Sequence, residues 1–381
     1  MHLVLARLPA APAGTRGISL FLVPKFLVNA DGSLGARNDL RCGGIEHKMG
    51  IHGSPTCTMI FGDDGGATGY LIGEENRGLA CMFTMMNNAR LSVGLQGVGV
   101  AERATQTAIA FAHERRQGRA PGASGEAMSP IVEHPDVRRM LLTMKATTSA
   151  ARALCYMTAQ ALDVAHRGGT PEARRAGLER ARLLTPVAKA YATDIANEVA
   201  SLGVQVHGGM GFIEETGAAQ LMRDARIAGI YEGTNGIQAI DLVQRKLTLS
   251  GGAAFKAELA AMWAVIAGLQ EQEDLRFGTM PRRLSEAVEA LAGASETLLV
   301  QLAEEPAAAL ASATPYLRLF ALARGGTALA SLAMAENSES GTWLTQARFF
   351  AENCACAAPS LASTIVDSAS CILAADAALA V

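Results

Sequence analysis

One carboxylate sits where it could do chemistry. The stretch Tyr231-Glu232-Gly233-Thr234-Asn235-Gly236 sets Glu232 in a glycine-flanked segment that must be a loop. Directly after it, Ile237, Ile240, Val243 and Leu247 recur at helical spacing, with Gln238, Asp241, Gln244 and Arg245 between them, which predicts an amphipathic helix. Thr234 or Asn235 can cap its first turn. Glu232 therefore lies just ahead of a helix N-terminus, where unpaired N–H groups attract anions. A carboxylate on such a loop can reach a bound substrate and serve as a general base. A Glu that only complements the helix dipole needs the same place, and the residues alone leave both readings open.

Two further groups could hold an anionic ligand. Gln205-Val206-His207-Gly208-Gly209-Met210-Gly211-Phe212 puts a glycine cluster between helices, where bare N–H groups can approach a phosphate. A plain helix C-cap followed by a turn has the same composition. Arg115-Arg116-Gln117 closes a predicted helix, and an arginine fork matches phosphate geometry; a solvated helix end is the alternative. Gly94, Gly97 and Gly99 have the wrong spacing and context for a dinucleotide fingerprint, and close helix packing accounts for them better. The seven cysteines are scattered; only Cys354 and Cys356 are close, with no histidine at metal-ligand spacing, so no metal is expected and the thiols read as reduced.

The elements that must position these groups change character along the chain. Residues 2–8, 17–24, 56–61 and 67–72 read as strands, the first two as antiparallel neighbours, and residues 29–33 as a turn. From residue 79 the pattern becomes helical, with helices expected over 88–117, 135–166, 173–202 and 217–229 besides the one after Glu232. Pro186 should kink the third of these or mark its first turn. These add up to about four long helices, enough for a bundle. Past Gly251-Gly252 an Ala-rich, acidic block predicts helices near 253–272, 282–304, 315–336 and 342–377.

Composition narrows the function classes. The 381 residues are 50% hydrophobic and 5% aromatic, which favours packed helices over a β-sandwich. A net charge of −3 excludes the broad basic field that nucleic acid requires. Residues 252–381 carry seven Lys+Arg against fourteen Asp+Glu, a net of −7, leaving +4 for residues 1–251, a mild bias toward anionic ligands. No run reaches the roughly 18 apolar residues of a membrane span, and the opening residues make a poor signal peptide. A cytoplasmic location is expected.

The segment Arg226-Ile227-(x)2-Ile230-Tyr231-Glu232-Gly233-Thr234-Asn235-(x)-Ile237-Gln238 resembles the catalytic-loop signature of the acyl-CoA dehydrogenase family, flavoenzymes that desaturate acyl-CoA thioesters. Glu46–Thr56 and Gly73–Gly78 are similar to successive motifs in the second half of that family's β-domain. Gln205-(x)2-Gly208-Gly209-(x)-Gly211 is similar to a run that contacts the ADP part of the flavin across a subunit interface. The resemblance covers about residues 1–250, and the block after it resembles a longer branch of the family. It implies a mainly α fold with a β-rich N-terminal section: a partial β-domain over 1–75, a catalytic four-helix bundle over 79–250, and an additional C-terminal helical domain over 253–381. Because the sheet starts mid-pattern, and the family's N-terminal helices and first flavin loop have no counterpart, the chain is expected to be a C-terminal portion of a longer enzyme.

In the family's reaction Glu232 takes the pro-R α-proton of the thioester as the β-hydride moves to the flavin. The base then needs a raised pKa, which a water-poor pocket gives by desolvation and the helix N-terminus opposes. FAD contacts are implied at Arg115, Arg116, Gln117, Gln205, Gly208, Gly209, Thr234, Asn235 and Gln238, and substrate contacts at Asn87, Arg90 and Gly233. Two positions depart from the pattern: Asn87 replaces an Asp, and Pro135 replaces a Gln whose amide it cannot supply. The implied partners are an acyl-CoA, an electron-transfer flavoprotein as acceptor, and further copies of the chain in a homodimer or homotetramer. An acyl-CoA oxidase on the same scaffold, or a fragment active only in assembly, would carry most of the same motifs.

Overall fold

A computed structural model describes residues 1–124, 126–272, 274–336 and 341–380; the side chain of Asn87 lies outside the described part. The chain divides into two compact units, Met1–Ala89 and Arg90–Val381.

The first unit is β-rich. β1 (His2–Arg7) and β2 (Ile18–Val23) pair antiparallel, as their alternation and the Pro/Gly-rich turn between them predict, with His2 opposite Val23 and Arg7 opposite Ile18. β3 (Phe26–Val28) and β4 (Leu34–Arg37) form a hairpin around the predicted turn, and β5 (Leu40–Ile45) pairs with β6 (Cys57–Phe61). β7 (Tyr70–Ile72) joins β2 on the side away from β1. The sequence reading missed β3, β4 and β5. The first two have only three and four residues. In β5 the Gly43-Gly44 pair and a register shift between Cys42 and Gly44 break the alternation that would have announced a strand.

The long helices of the bundle are longer and fewer than the sequence suggested. Helix α1 (Gly78–Glu114) begins ten residues before the predicted start. α2 (Pro135–Arg167) and α3 (Pro171–His207) open with proline in the first turn, where no N–H is needed. Thr170 caps α3 by accepting a 3.1 Å hydrogen bond from the Ala173 amide. Pro186 lies inside α3 and is buried there, and the helix runs through it to His207. The expected four long helices are therefore three, of 37, 33 and 37 residues. The fourth position is filled by short pieces: α4 (Ala218–Arg226), the Glu232 loop, α5 (Asn235–Asp241) and a π-helical turn over Leu242–Lys246.

Glycine lets α1 approach α3 closely. A Cβ on Gly97 would meet the Ala192 carbonyl oxygen at 2.7 Å, and one on Gly94 would meet the Ala188 oxygen at 3.3 Å. The packing account holds for Gly94 and Gly97 but not for Gly99, where an added Cβ would meet nothing within 4 Å.

Residues 253–381, expected as a further helical domain, share one hydrophobic core with the bundle. α6 (Ala253–Glu271), α7 (Met280–Glu304), α8 (Pro306–Ala311), α9 (Ala313–Met334), α10 (Thr342–Asn353) and α11 (Ala358–Asp367) contribute Met262, Leu284, Tyr316, Phe320 and Phe350 to the cluster that holds Met144, Leu154, Leu184 and Tyr191. The single helix expected over 342–377 is broken after Asn353, where a 3-10 turn precedes Pro359 in α11. Polar ties cross the same boundary. Glu258 of α6, buried, accepts from Arg180 of α3 and, at 2.7 Å, from Arg324 of α9; Ser149 donates to Gln346 at 2.7 Å.

One helix comes near the length and composition of a membrane span. Leu249–Glu271, with a mean hydropathy of 1.4, is long and apolar enough to cross a membrane by length and composition. Its Phe255, Met262, Ile266 and Leu269 face the core, and its Glu258 is held by two arginines, as befits a helix packed in protein.

Candidate active site

The Glu232 loop is short, strained at its key residue and tied down on both sides. Ile230 and Tyr231 donate to the Ile227 carbonyl at 2.9 and 3.1 Å, closing the turn after α4. The Tyr231 hydroxyl bonds Gln96 on α1. Glu232 itself has φ 55°, the left-handed region that costs a non-glycine residue on the order of 1–3 kcal/mol. Gly233 follows at φ 85°, and a Cβ there would lie 2.7 Å from Gln238 Nε2, so both conformation and space require glycine. Thr234 then caps α5 as predicted, its Oγ1 accepting from the Ile237 amide at 3.3 Å.

What keeps this strained turn in place lies on α3. Lys189, fully buried, sends Nζ to the Gly233 carbonyl and to Asn235 Oδ1, both at 2.9 Å. Asn235 Nδ2 donates to Asp194 Oδ1 at 2.6 Å, to Thr193 Oγ1 at 2.9 Å and to the Ala190 carbonyl at 3.2 Å. From the other side Gln238 Nε2 reaches the Glu232 and Gly233 carbonyls at 3.2 and 3.3 Å. Burial lowers the Lys189 pKa from 10.5 to about 8, with Arg90 adding to the shift and Asp194 and Glu232 opposing it. Burial also raises the Asp194 carboxyl, against the hydrogen bond from Asn235. The backbone on both sides of Glu232 is thus fixed. Its carboxylate, half-buried, makes no hydrogen bond or ion pair among the described residues.

Three of the predicted contact residues are engaged within the protein. Both ends of the Asn235 amide are bonded to α3. Gln238 is fully buried under the loop; its Nε2 donates to the Glu232 and Gly233 carbonyls, and its Oε1 is buried without a hydrogen-bond partner among the described residues. Arg90 is turned inward: its side chain is only 12% exposed, and Nη1 lies 3.8 Å from Asp241 Oδ2, which Lys246 also approaches at 3.5 Å. Arg90 thus sits beside Asp241 below the loop, with its Nε and the Asp241 Oδ2 making no hydrogen bond among the described residues. Gly233 and Thr234 stay accessible beside the base; the substrate contact expected at Asn87 falls outside the described residues.

The remaining predicted residues gather at the far end of the bundle. Phe111 of α1 stacks on His207 of α3 with ring centroids 4.4 Å apart, joining the C-terminal ends of the two helices. His207 Nδ1 bonds the Gly203 carbonyl at 2.6 Å and fixes the ring. Gln205, Gly208 and Gly209 are exposed there, and a Cβ on either glycine would meet nothing within 4 Å. Arg115, Arg116 and Gln117 are exposed beyond Phe111; Arg115 Nη2 donates to Gln117 Oε1 at 3.0 Å, and Arg116 Nη1 to the Met128 carbonyl at 2.9 Å. Lys189 and Gln205 are sixteen residues apart on one helix, a rise of about 24 Å. Within one chain the predicted set is therefore two sites.

Sequence reasoning missed Lys189, Thr193 and Asp194. Their signal was present but unreadable in isolation: charged and polar residues four and five apart on a helix normally mark a solvated face.

A bundle with a fixed carboxylate loop against the middle of α3 and an open glycine turn at its C-terminal end defines a class, and the comparisons agree on it. The family description "Acyl-CoA dehydrogenase, C-terminal domain" matches residues 76–247, and "Acetyl-CoA dehydrogenase C-terminal like" matches residues 255–376. The chain belongs to the acyl-CoA dehydrogenase family. It is 47% identical to a 3-methylmercaptopropionyl-CoA dehydrogenase of Ruegeria pomeroyi over 89% of this chain and 57% of that protein. With a butyryl-CoA dehydrogenase of Syntrophomonas wolfei it shares 41% identity over 72% of this chain and 46% of the relative. The chain spans about half the length of these curated relatives. Its fold matches a Bacillus anthracis acyl-CoA dehydrogenase crystallised with FAD, with a TM-score of 0.73 at 20% identity, over 100% of this chain and 64% of that one.

Proposed function

We propose that this chain is the base-bearing part of an FAD-dependent acyl-CoA dehydrogenase, with Glu232 removing the α-proton of an acyl-CoA thioester. The observation that carries the reading is the pairing of a strained, fully anchored backbone at Glu232 with an uncommitted carboxylate. A protein accepts a left-handed glutamate where the surrounding contacts over-determine it, and such outliers cluster at functional sites. The anchors hold the carboxylate's origin in place, so the proton is taken without a search through loop conformers.

The glycine-rich end fits the dinucleotide half of FAD. Exposed backbone at Gly208-Gly209, with open space where side chains would stand, suits the close approach of a diphosphate, and Arg115 supplies a cationic fork beside it. Gln205 and Thr234 remain available as polar contacts, and Gln238 keeps an unpartnered Oε1, whereas both ends of the Asn235 amide are bonded to α3. When bound, FAD supplies the acceptor for the hydride that leaves the β-carbon. Glu232 takes the α-proton at its carboxylate, and the double bond forms between the two carbons. The rise of about 24 Å along α3 between the two sites suits an assembly of two or four copies, in which one chain's glycine turn serves another chain's loop. An electron-transfer flavoprotein would take the electrons onward, as the family resemblance implies.

The reading is tested with Glu232→Gln in the flavin-loaded enzyme that carries this chain. Flavin bleaching by an acyl-CoA should slow by about 10²–10⁴-fold, with flavin content and thioester affinity kept. Bleaching at the wild-type rate would place the base elsewhere.

A further inference from the structure

The geometry points to Lys189 as the positioning residue of the Glu232 loop: a buried cation on α3 that fixes the base by holding the Gly233 carbonyl and the Asn235 side chain together. The inference rests on the reading of Glu232 as the base and adds the group that aims it.

The argument is one of cost. A lysine with none of its surface exposed carries a desolvation penalty unless its donors are used. Here Nζ makes two hydrogen bonds of 2.9 Å, and both partners belong to the four residues centred on the strained turn. One is the carbonyl of the residue directly after Glu232. The other is Asn235, which occupies the first turn of α5 and passes the restraint on to Thr193 and Asp194. The charges facing Lys189 are Asp194 on its own helix, Arg90 on α1 and Glu232 on the loop. It therefore feels the charge of the base and of a second carboxylate, and it bonds the carbonyl next to the base while making no hydrogen bond to the base's oxygens. A lysine placed for packing alone would be replaced at no cost to the loop by an unbranched apolar side chain.

Hydrogen exchange on the chain itself tests this without depending on turnover. In Lys189→Met the amides of residues 230–237 should exchange at least about tenfold faster, while those of α9 keep their protection. Asn235→Ala should loosen the same amides, and the double variant should be no looser than the worse single one, because both changes cut one network. In the flavin-loaded enzyme Lys189→Met should lower kcat by about 10²-fold with a much smaller change in KM. Unchanged loop exchange in Lys189→Met, equal loss of protection in α9, or additive effects of the two substitutions would each overturn the assignment. The outcomes separate from those for the base: a slow Glu232→Gln beside an unaffected Lys189→Met removes the positioning role alone. A loosened loop beside a fast Glu232→Gln removes the base and leaves Lys189 as a loop anchor.

Discussion

The Glu232 loop and the glycine turn after α3 hang from the same helix and are built in opposite ways. At the loop, side chains from α3 and α5 take up the backbone carbonyls, and the residues that do so are buried. At the turn, Gly208 and Gly209 are exposed with nothing near them, and the neighbouring arginines bond only to adjacent loop atoms. The first region is completed by its own chain. The second leaves Gly208 and Gly209 open to solvent, with the Gly208 amide turned back on the Gln205 carbonyl. A catalytic base needs a fixed direction, and fixing it takes buried contacts; a phosphate site needs open N–H groups, and burial would close them.

That contrast predicts how substitutions divide. The largest effect on stability is expected where α1 meets α3 under the loop. Gly97→Ala puts a methyl 2.7 Å from the Ala192 carbonyl oxygen and should cost about 1–3 kcal/mol, read as a lower urea midpoint. Gly99→Ala, with nothing within 4 Å, should be neutral or gain up to about 1 kcal/mol in the same helix. If both glycines tolerate alanine equally, the close approach of α1 and α3 is not what holds the loop side rigid.

A second test uses pH. The folded pKa of Lys189, about 8, lies below the free value of 10.5, so below pH 8 both states hold the proton and the cost of the buried cation is fully present. Between pH 8 and 10.5 the unfolded chain binds more protons than the folded one, and stability should rise with pH. Measured as wild type minus Lys189→Met, the gain should approach about 3 kcal/mol. A flat difference across that window would mean that Lys189 is not desolvated, and the loop and the glycine turn would then differ less than their burial implies.

The smallest stability effect belongs to the open end. Gly209→Ala should change stability by no more than about 0.5 kcal/mol, because the added methyl meets nothing. It should weaken binding of ADP or FAD by crowding the backbone, a loss that calorimetry on the folded variant would read. Unchanged affinity would move the phosphate site away from the turn.

Much of this protein could be read from its residues. The β-rich start, the long helices, the cap at Thr234, the packing role of Gly94 and Gly97 and the placement of Glu232 on a loop all follow from local rules. Periodicity, turn residues and the space that glycine provides act over a few positions, so sequence neighbours determine them. The base candidate was legible for the same reason: its glycines and the helix after it are contiguous. Only the tertiary structure decided that Asn235, Gln238 and Arg90 face inward, that Lys189 reaches 44 positions along the chain to hold Gly233, and that the C-terminal helices complete the bundle's core. Those outcomes depend on which buried polar group finds which partner across helices. Hydrogen-bond satisfaction in a core is a property of the packed whole, and spacing along one segment carries no record of it.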